Sequence, residues 1–137
     1  MIDTRLAPYA AFALRVTLGL LFLAHASLKI FVFTPAGTAQ FFASLGLPGD
    51  LAYLAIATEV VGGLALVLGI YARIAALVTI PLLAGAIATV HGKAGFFFNV
   101  PNGGWEFPAF WIVGLLVVAA LGEGAYALRP SAKSISA

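Results

Sequence analysis

Four apolar stretches, each about as long as a lipid bilayer is thick, leave this chain few ways to fold. They run from Tyr9 to Ile30, Leu51 to Ile70, Ala72 to Val90 and Phe107 to Leu128. A helix needs about 20 mostly apolar residues to cross the hydrocarbon core. In lipid, backbone polar groups must be satisfied inside a helix or a closed barrel. The stretches therefore predict an all-α protein: one domain over residues 1–137, built as a four-transmembrane-helix bundle. Charge supports this. Only 9% of the 137 residues are charged and 63% are hydrophobic, with a mean hydropathy of +1.10, against about 25% charged residues in a soluble domain. The formal net charge is +2 and no basic run occurs, so the electrostatic footprint of a nucleic-acid binder is missing. The chain has no cysteine, which removes disulfides and thiol redox motifs. Any redox role must run through a bound cofactor, a quinone or a partner protein.

The stretches are separated by readable punctuation. Arg5 before an apolar run, with Ala24-His25-Ala26 behind it, loosely resembles a secretory signal. That run is too long for a signal core of about 7–15 residues and contains Arg15, so an uncleaved first helix is expected. In the first loop, Thr34 is a good N-cap, Pro35 suits the first helical position and Gly46 suits the residue after the helix. A short interfacial helix is expected between them, with Phe41, Phe42 and Leu45 on one side. Gly69, Tyr71 and Arg73 mark a tight turn between the second and third spans. Pro81 predicts a kink in the third. Asn102-Gly103-Gly104 predicts a turn in the last loop.

Loop charges set the orientation. Arg5, Arg73, Arg129 and Lys133 share one side, and Lys29 and Lys93 the other. Both termini are expected in the cytoplasm, with the protein a multi-pass component of the cytoplasmic (inner) membrane. Ala55, Glu59 and Gly63, with Gly62 beside them, and Ala84 with Ala88 supply small residues for close helix approach.

Ionisable groups inside a membrane cost on the order of 2.5–3.5 kcal/mol by insertion scales and need partners. In the first helix, Arg15, Leu18, Phe22, His25 and Lys29 fall on one stripe, because steps of three and four return to the same face. Glu59 is the only carboxylate well inside a span. At about 1.5 Å per residue, Glu59 sits roughly 13 Å below the outer end of its helix, His25 roughly 7 Å and Arg15 roughly 22 Å. Depth alone predicts that Arg15 and Glu59 form a structural ion pair, directly or through His25 or a water. His25, Lys29, Glu59, His91, Trp105 and Glu106 are expected to converge in the outer half as the wall of a ligand pocket, with Phe96–Phe98 at its mouth. No metal is expected. A bis-His haem or metal site through His25 and His91 is the lesser alternative to a quinone. A self-satisfied polar network with no cavity is the bland alternative to a pocket.

In order and spacing, several pieces of this chain are similar to the DoxX family of small membrane proteins. They are Arg15-Val-Thr-Leu-Gly19, Leu23-Ala-His25-Ala-Ser-Leu-Lys29, Glu59-Val-Val-Gly62-Gly63 with Gly69 and Arg73, His91 followed by Gly95-Phe96-Phe97, and Gly103-Gly104-Trp105-Glu106-Phe107-Pro108. Ala26 departs from the family's frequent Gly. The resemblance implies a four-helix membrane bundle and an association with quinone-linked or sulfur redox chemistry. It singles out Arg15, Lys29, Glu59, His91 and Glu106. Two functions follow as expectations: a quinone-associated oxidoreductase subunit, or a non-catalytic module that binds a lipid or small molecule or scaffolds a redox partner.

Overall fold

The computed structural model describes residues 2–131. Lys133, counted above among the cytoplasmic charges, lies outside them. The described residues are helical, with no named strand and one isolated parallel bridge between Ile70 and Arg129. Helix α1 covers Ala7–Ser27 and continues as a π-helical turn over Leu28–Val32. Helix α2 covers Pro35–Ser44, α3 covers Leu51–Leu68 and α4 covers Ala72–Ala86. A second π-helical turn over Ile87–His91 leads into α5, a single turn over Gly92–Ala94. Helix α6 covers Glu106–Leu121. Three continuous helices are long and apolar enough to cross a membrane: Ala7–Val32, Leu51–Leu68 and Ala72–Ala94. Helix α6 is apolar but shorter, at 16 residues.

Helices α1, α3, α4 and α6 form a ring. The principal contacts are α1 on α3 and α4 on α6, closed by α3 on α4 and α1 on α6. Phe22, Leu66, Trp111, Leu115 and Val118 fill the centre. Helices α1 and α3 approach closely where two glycines meet. A Cβ on Gly19 would lie 2.7 Å from the carbonyl oxygen of Gly63, and one on Gly63 would lie 3.0 Å from that of Gly19. Backbones this close leave no room for a side chain, as small-residue packing in membranes requires. Helix α2 begins as the residues dictate: Pro35 opens it and the Thr34 hydroxyl accepts from the Gly37 amide at 3.1 Å. Gly46 follows with φ +81°.

The fourth helix stops short of the expected Leu128. Gly122 adopts φ +91° and ends it at Leu121, and residues 122–131 run back under the bundle. The Ala125 amide donates to the Pro8 carbonyl at 2.9 Å, and the Leu128 and Arg129 amides donate to the carbonyls of Leu68 and Gly69. Two arginines hold this end. Arg15 is fully buried and donates to four backbone carbonyls: Nε to Glu123 at 2.6 Å, Nη1 to Leu66 at 2.8 Å and Val67 at 2.7 Å, and Nη2 to Ala125 at 2.9 Å. Leu66 and Val67 lie in the last turn of α3, whose carbonyls have no helical partner and carry the negative end of the dipole. Arg73 does the same for α6, with Nη1 2.8 Å from the Ala119 carbonyl oxygen. The Glu123 carboxylate accepts from the Arg73 amide at the start of α4 and from the amide and hydroxyl of Ser131. Burial alone would raise this carboxyl, but the hydrogen bonds from Ser131 and Arg73 hold it below its ordinary value.

The glycine contact is testable. Gly19→Ala should lower stability in detergent by about 1–3 kcal/mol, the usual cost of forcing a methyl group into a packed interface. Gly85→Ala, where an added Cβ meets nothing within 4 Å, should leave the melting temperature unchanged or raise it. Equal melting temperatures for wild type and Gly19→Ala would contradict the contact.

Candidate functional site

The end of the bundle opposite the two arginines holds a partly open cavity of about 1200 Å³. Helices α1, α2, α3, α4 and α6 all contribute to its wall. Most of the lining is apolar, including Phe33, Phe42, Leu54 and Val78, while His25, Lys29, Glu59, His91 and Trp111 are the wall residues that carry titratable or hydrogen-bonding side chains. Lys29 and His91 each sit in one of the two π-helical turns. Such turns break the 3.6-residue repeat locally and occur often at functional sites.

The central interaction is an ion pair between Lys29 Nζ and Glu59 Oε1 at 2.8 Å. The expected Arg15–Glu59 pair does not form. The glycine contact explains both results. Helices α1 and α3 are antiparallel and in register at Gly19 and Gly63, so Arg15, four residues below Gly19, lies beside Val67. Glu59 is four residues from Gly63 in the other direction, leaving the two backbones roughly 12 Å apart along the axis. Helical side chains lean toward their own N-terminus. Arg15 therefore leans away from Glu59, whereas Lys29, roughly 9 Å beyond Glu59, leans back toward it.

The remaining polar groups are less completely paired. Glu59 is 5% exposed, and among the described residues nothing hydrogen-bonds its second oxygen, Oε2. The indole Nε1 of Trp111, at 3% exposure, is also buried without a partner. Trp111 lies edge-on to His25 with ring centroids 5.2 Å apart and packs on Phe22 at 4.6 Å. His91 Nδ1 is 2.8 Å from the Gly103 carbonyl oxygen and 3.1 Å from that of Asn102. Both neighbours are acceptors, so Nδ1 carries the hydrogen. The same bonds tie the last loop to the end of the α4 helix.

Four of the six expected wall residues, His25, Lys29, Glu59 and His91, line this cavity. Trp105 and Glu106 do not. Glu106 Oε1 accepts from the Phe98 amide at 2.9 Å, folding the loop back on the start of α6. Trp105 packs edge-on against Phe96 at 4.8 Å. Both face a second, smaller recess of about 530 Å³. Glu106 opens α6, so its carboxylate is used at a helix N-terminus. Trp111, a member of the wall, did not stand out in sequence, because one aromatic in an apolar helix reads as core. Among the described residues no cluster of three or more His, Asp or Glu is arranged to hold a metal ion.

Comparison with known proteins gives a consistent picture. The family model described as DoxX matches residues 10–92. A Bacillus subtilis protein named "Putative oxidoreductase CatD" is 36% identical over 117 residues, covering 85% of this chain and 82% of its own. A Haemophilus influenzae protein named "Uncharacterized protein" is 32% identical over 124 residues, covering 88% and 89%. No solved structure matches the chain.

The pairing can be measured by double-mutant cycles. Lys29→Ala and Glu59→Ala should each cost roughly 3–5 kcal/mol, because the remaining charge is left without its partner. The double variant should lose clearly less than the sum. Arg15→Ala combined with Glu59→Ala should instead be additive, as expected of separated sites. Coupling in the second cycle and additivity in the first would reverse the assignment.

Proposed function

The chain belongs to the DoxX family, and we propose that it is the membrane subunit of a quinone-linked oxidoreductase, with the inter-helix cavity as its quinone site. That it is a membrane protein follows from its family and its apolar helices. The observation that carries the quinone reading is the cavity itself: a mostly apolar space with a few convergent polar groups, the usual form of a small-molecule site. At about 1200 Å³ it exceeds the common range of about 300–1,000 Å³, leaving room for a ring and part of a prenyl tail. The residues fit the group. Lys29 Nζ is a donor for a quinone oxygen, and His25 and His91 offer ring nitrogens. The quinone supplies two-electron chemistry when bound, while the protein binds and orients the ring and excludes water. The oxidoreductase class is supported by the name of the Bacillus relative.

In this reading α6 is the fourth span, its 16 residues supplemented by the aromatic segment before it. Helix α2 lies at the interface, roofing the cavity on the outer side of the cytoplasmic membrane. The termini are cytoplasmic, supported by Arg5, Arg73 and Arg129 at one end against Lys29 and Lys93 at the other. The second reading, a non-catalytic module that holds a lipid, takes its support from the apolar lining, which suits an acyl chain equally well.

Thermal-shift titration with short-tailed benzoquinones and naphthoquinones separates them. Stabilisation by a quinone that is lost in Lys29→Ala and His91→Ala supports the first reading. Stabilisation by phospholipid alone, with no response to any quinone, would replace it with the second.

The orientation has its own test, clean because the chain has no cysteine. Gln40→Cys and Asn99→Cys should react with an impermeant maleimide on intact cells, and Thr4→Cys only after permeabilisation. The opposite pattern would invert the protein in the membrane.

A further inference from the structure

We infer that the cavity is entered sideways from the membrane, through a gap between α3 and α4, and that its ligand is an amphiphile whose hydrocarbon chain lies in that gap. This rests on reading the cavity as a ligand site. Helices α3 and α4 run antiparallel from the turn at Gly69 and Tyr71, so residues equally far from the turn stand side by side. They touch at Gly62 and Thr79, where a Cβ on Gly62 would lie 2.5 Å from Thr79 Cγ2. From this level away from the turn the pair parts. Leu54 and Thr58 on α3, and Val78, Pro81, Gly85 and Thr89 on α4, all line the cavity. Yet Leu54 is 62% and Val78 59% exposed, and Pro81 and Gly85 are exposed as well. A Cβ added to Gly85 would meet nothing within 4 Å. Side chains that face both the cavity and the outside mark its mouth. Pro81 stands where the helices part, and a proline inside a helix lacks the amide that bonds back one turn and bends the helix.

The mouth lies at the depth of acyl chains. Leu54 is roughly 5 Å and Thr58 roughly 10 Å inside the cavity end of α3. The chemistry of the rim suits hydrocarbon. Leu54, Val78 and Pro81 are apolar, and the Thr89 hydroxyl is already spent on the Gly85 carbonyl at 2.8 Å. The other side is roofed. Helix α2 packs on α3 and brings Phe41 and Phe42 to the cavity, and His91 ties down the last loop through the carbonyls of Asn102 and Gly103. A chain in the gap never meets water, whose contact costs about 0.8 kcal/mol per CH₂. A neutral ring can follow its chain through an apolar mouth, whereas an ionised headgroup costs several kcal/mol in hydrocarbon. A prenylquinone can therefore pass whole, while a phospholipid would keep its headgroup outside and insert one acyl chain.

The test uses the full chain in lipid nanodiscs. The chain has two tryptophans, and Trp105→Phe leaves Trp111, a wall residue, as the reporter. Phospholipids brominated along their acyl chains, or decyl-benzoquinone in unbrominated discs, should quench its fluorescence. Gly85→Phe sets a ring in the mouth. It should weaken the quenching by brominated chains and slow quinone association by about tenfold or more, because binding then waits on an opening motion. Val61→Phe, at an exposed α3 position outside the cavity, should change neither. If Gly85→Phe does not fold, Gly85→Leu carries the same comparison. Saturable quenching by the quinone identifies a prenylquinone as the source of the chain, and quenching by brominated chains alone identifies a phospholipid; sensitivity to Gly85→Phe supports the lateral route in either case. Quenching and association unchanged in the Gly85 variants, with quinone binding still lost in Lys29→Ala, would overturn the route and leave the ligand site standing. No quenching of the wild-type wall by either probe would overturn both.

Discussion

A buried guanidinium held by backbone carbonyls organises one whole end of this molecule. Arg15 is out of contact with solvent and directs its donors to four carbonyl oxygens on two other parts of the chain. In a medium of low dielectric, a charge without partners costs far more than any single packing contact contributes. Two of the carbonyls belong to the last turn of α3, where backbone oxygens lack helical partners and concentrate negative partial charge. The other two, on Glu123 and Ala125, exist in the right place only because α6 ends at Gly122 and the chain turns back. The shape of residues 122–131 is thus a response to the needs of one side chain on the first helix.

The same constraint reaches the cavity through rigid geometry. Arg15 is held at the end of α3, and four residues on, Gly19 meets Gly63 backbone to backbone. The register between the two helices has little freedom left. Lys29 and Glu59 then find each other through the opposite lean of their side chains. Polar groups are thereby sorted into two ends. At the Arg15 end, Arg15 and Arg73 direct their donors to backbone carbonyls. At the cavity end, Glu59 Oε2 and Trp111 Nε1 have none among the described residues.

Much of this was readable in the residues. Hydropathy located the apolar helices, and Thr34-Pro35 with Gly46 marked α2 to within a residue. The stripe from Arg15 to Lys29 identified the interior face of α1, and His25, Lys29, Glu59 and His91, singled out in sequence, all line one cavity. Three things were not legible, for different reasons. The partner of Glu59 was misjudged because depth along a helix was weighed without side-chain direction. The end of α6 was placed too late because Ala125, Tyr126, Ala127 and Leu128 keep the hydropathy high. The signal against them was Gly122-Glu123-Gly124, two glycines with positive φ flanking a buried carboxylate. Glu106 looked like a site residue because loops attract polar ligands, but at the head of a helix a carboxylate has local work to do.

The sequence distance between Arg15 and its partners bears on how such a protein is made. Arg15 leaves the ribosome well ahead of every carbonyl that holds it. The carbonyls of Leu66 and Val67 follow 51 and 52 residues later, and those of Glu123 and Ala125 follow 108 and 110 residues later. During most of synthesis the guanidinium has only water, lipid headgroups or the translocon to bond with. Helix α1 must wait near a polar boundary, and this end of the bundle cannot close until Glu123 and Ala125 have emerged. Assembly is therefore gated by the segment that follows α6: a product cut before it would carry an incompletely satisfied cation in α1, a defect of the kind that membrane quality control recognises.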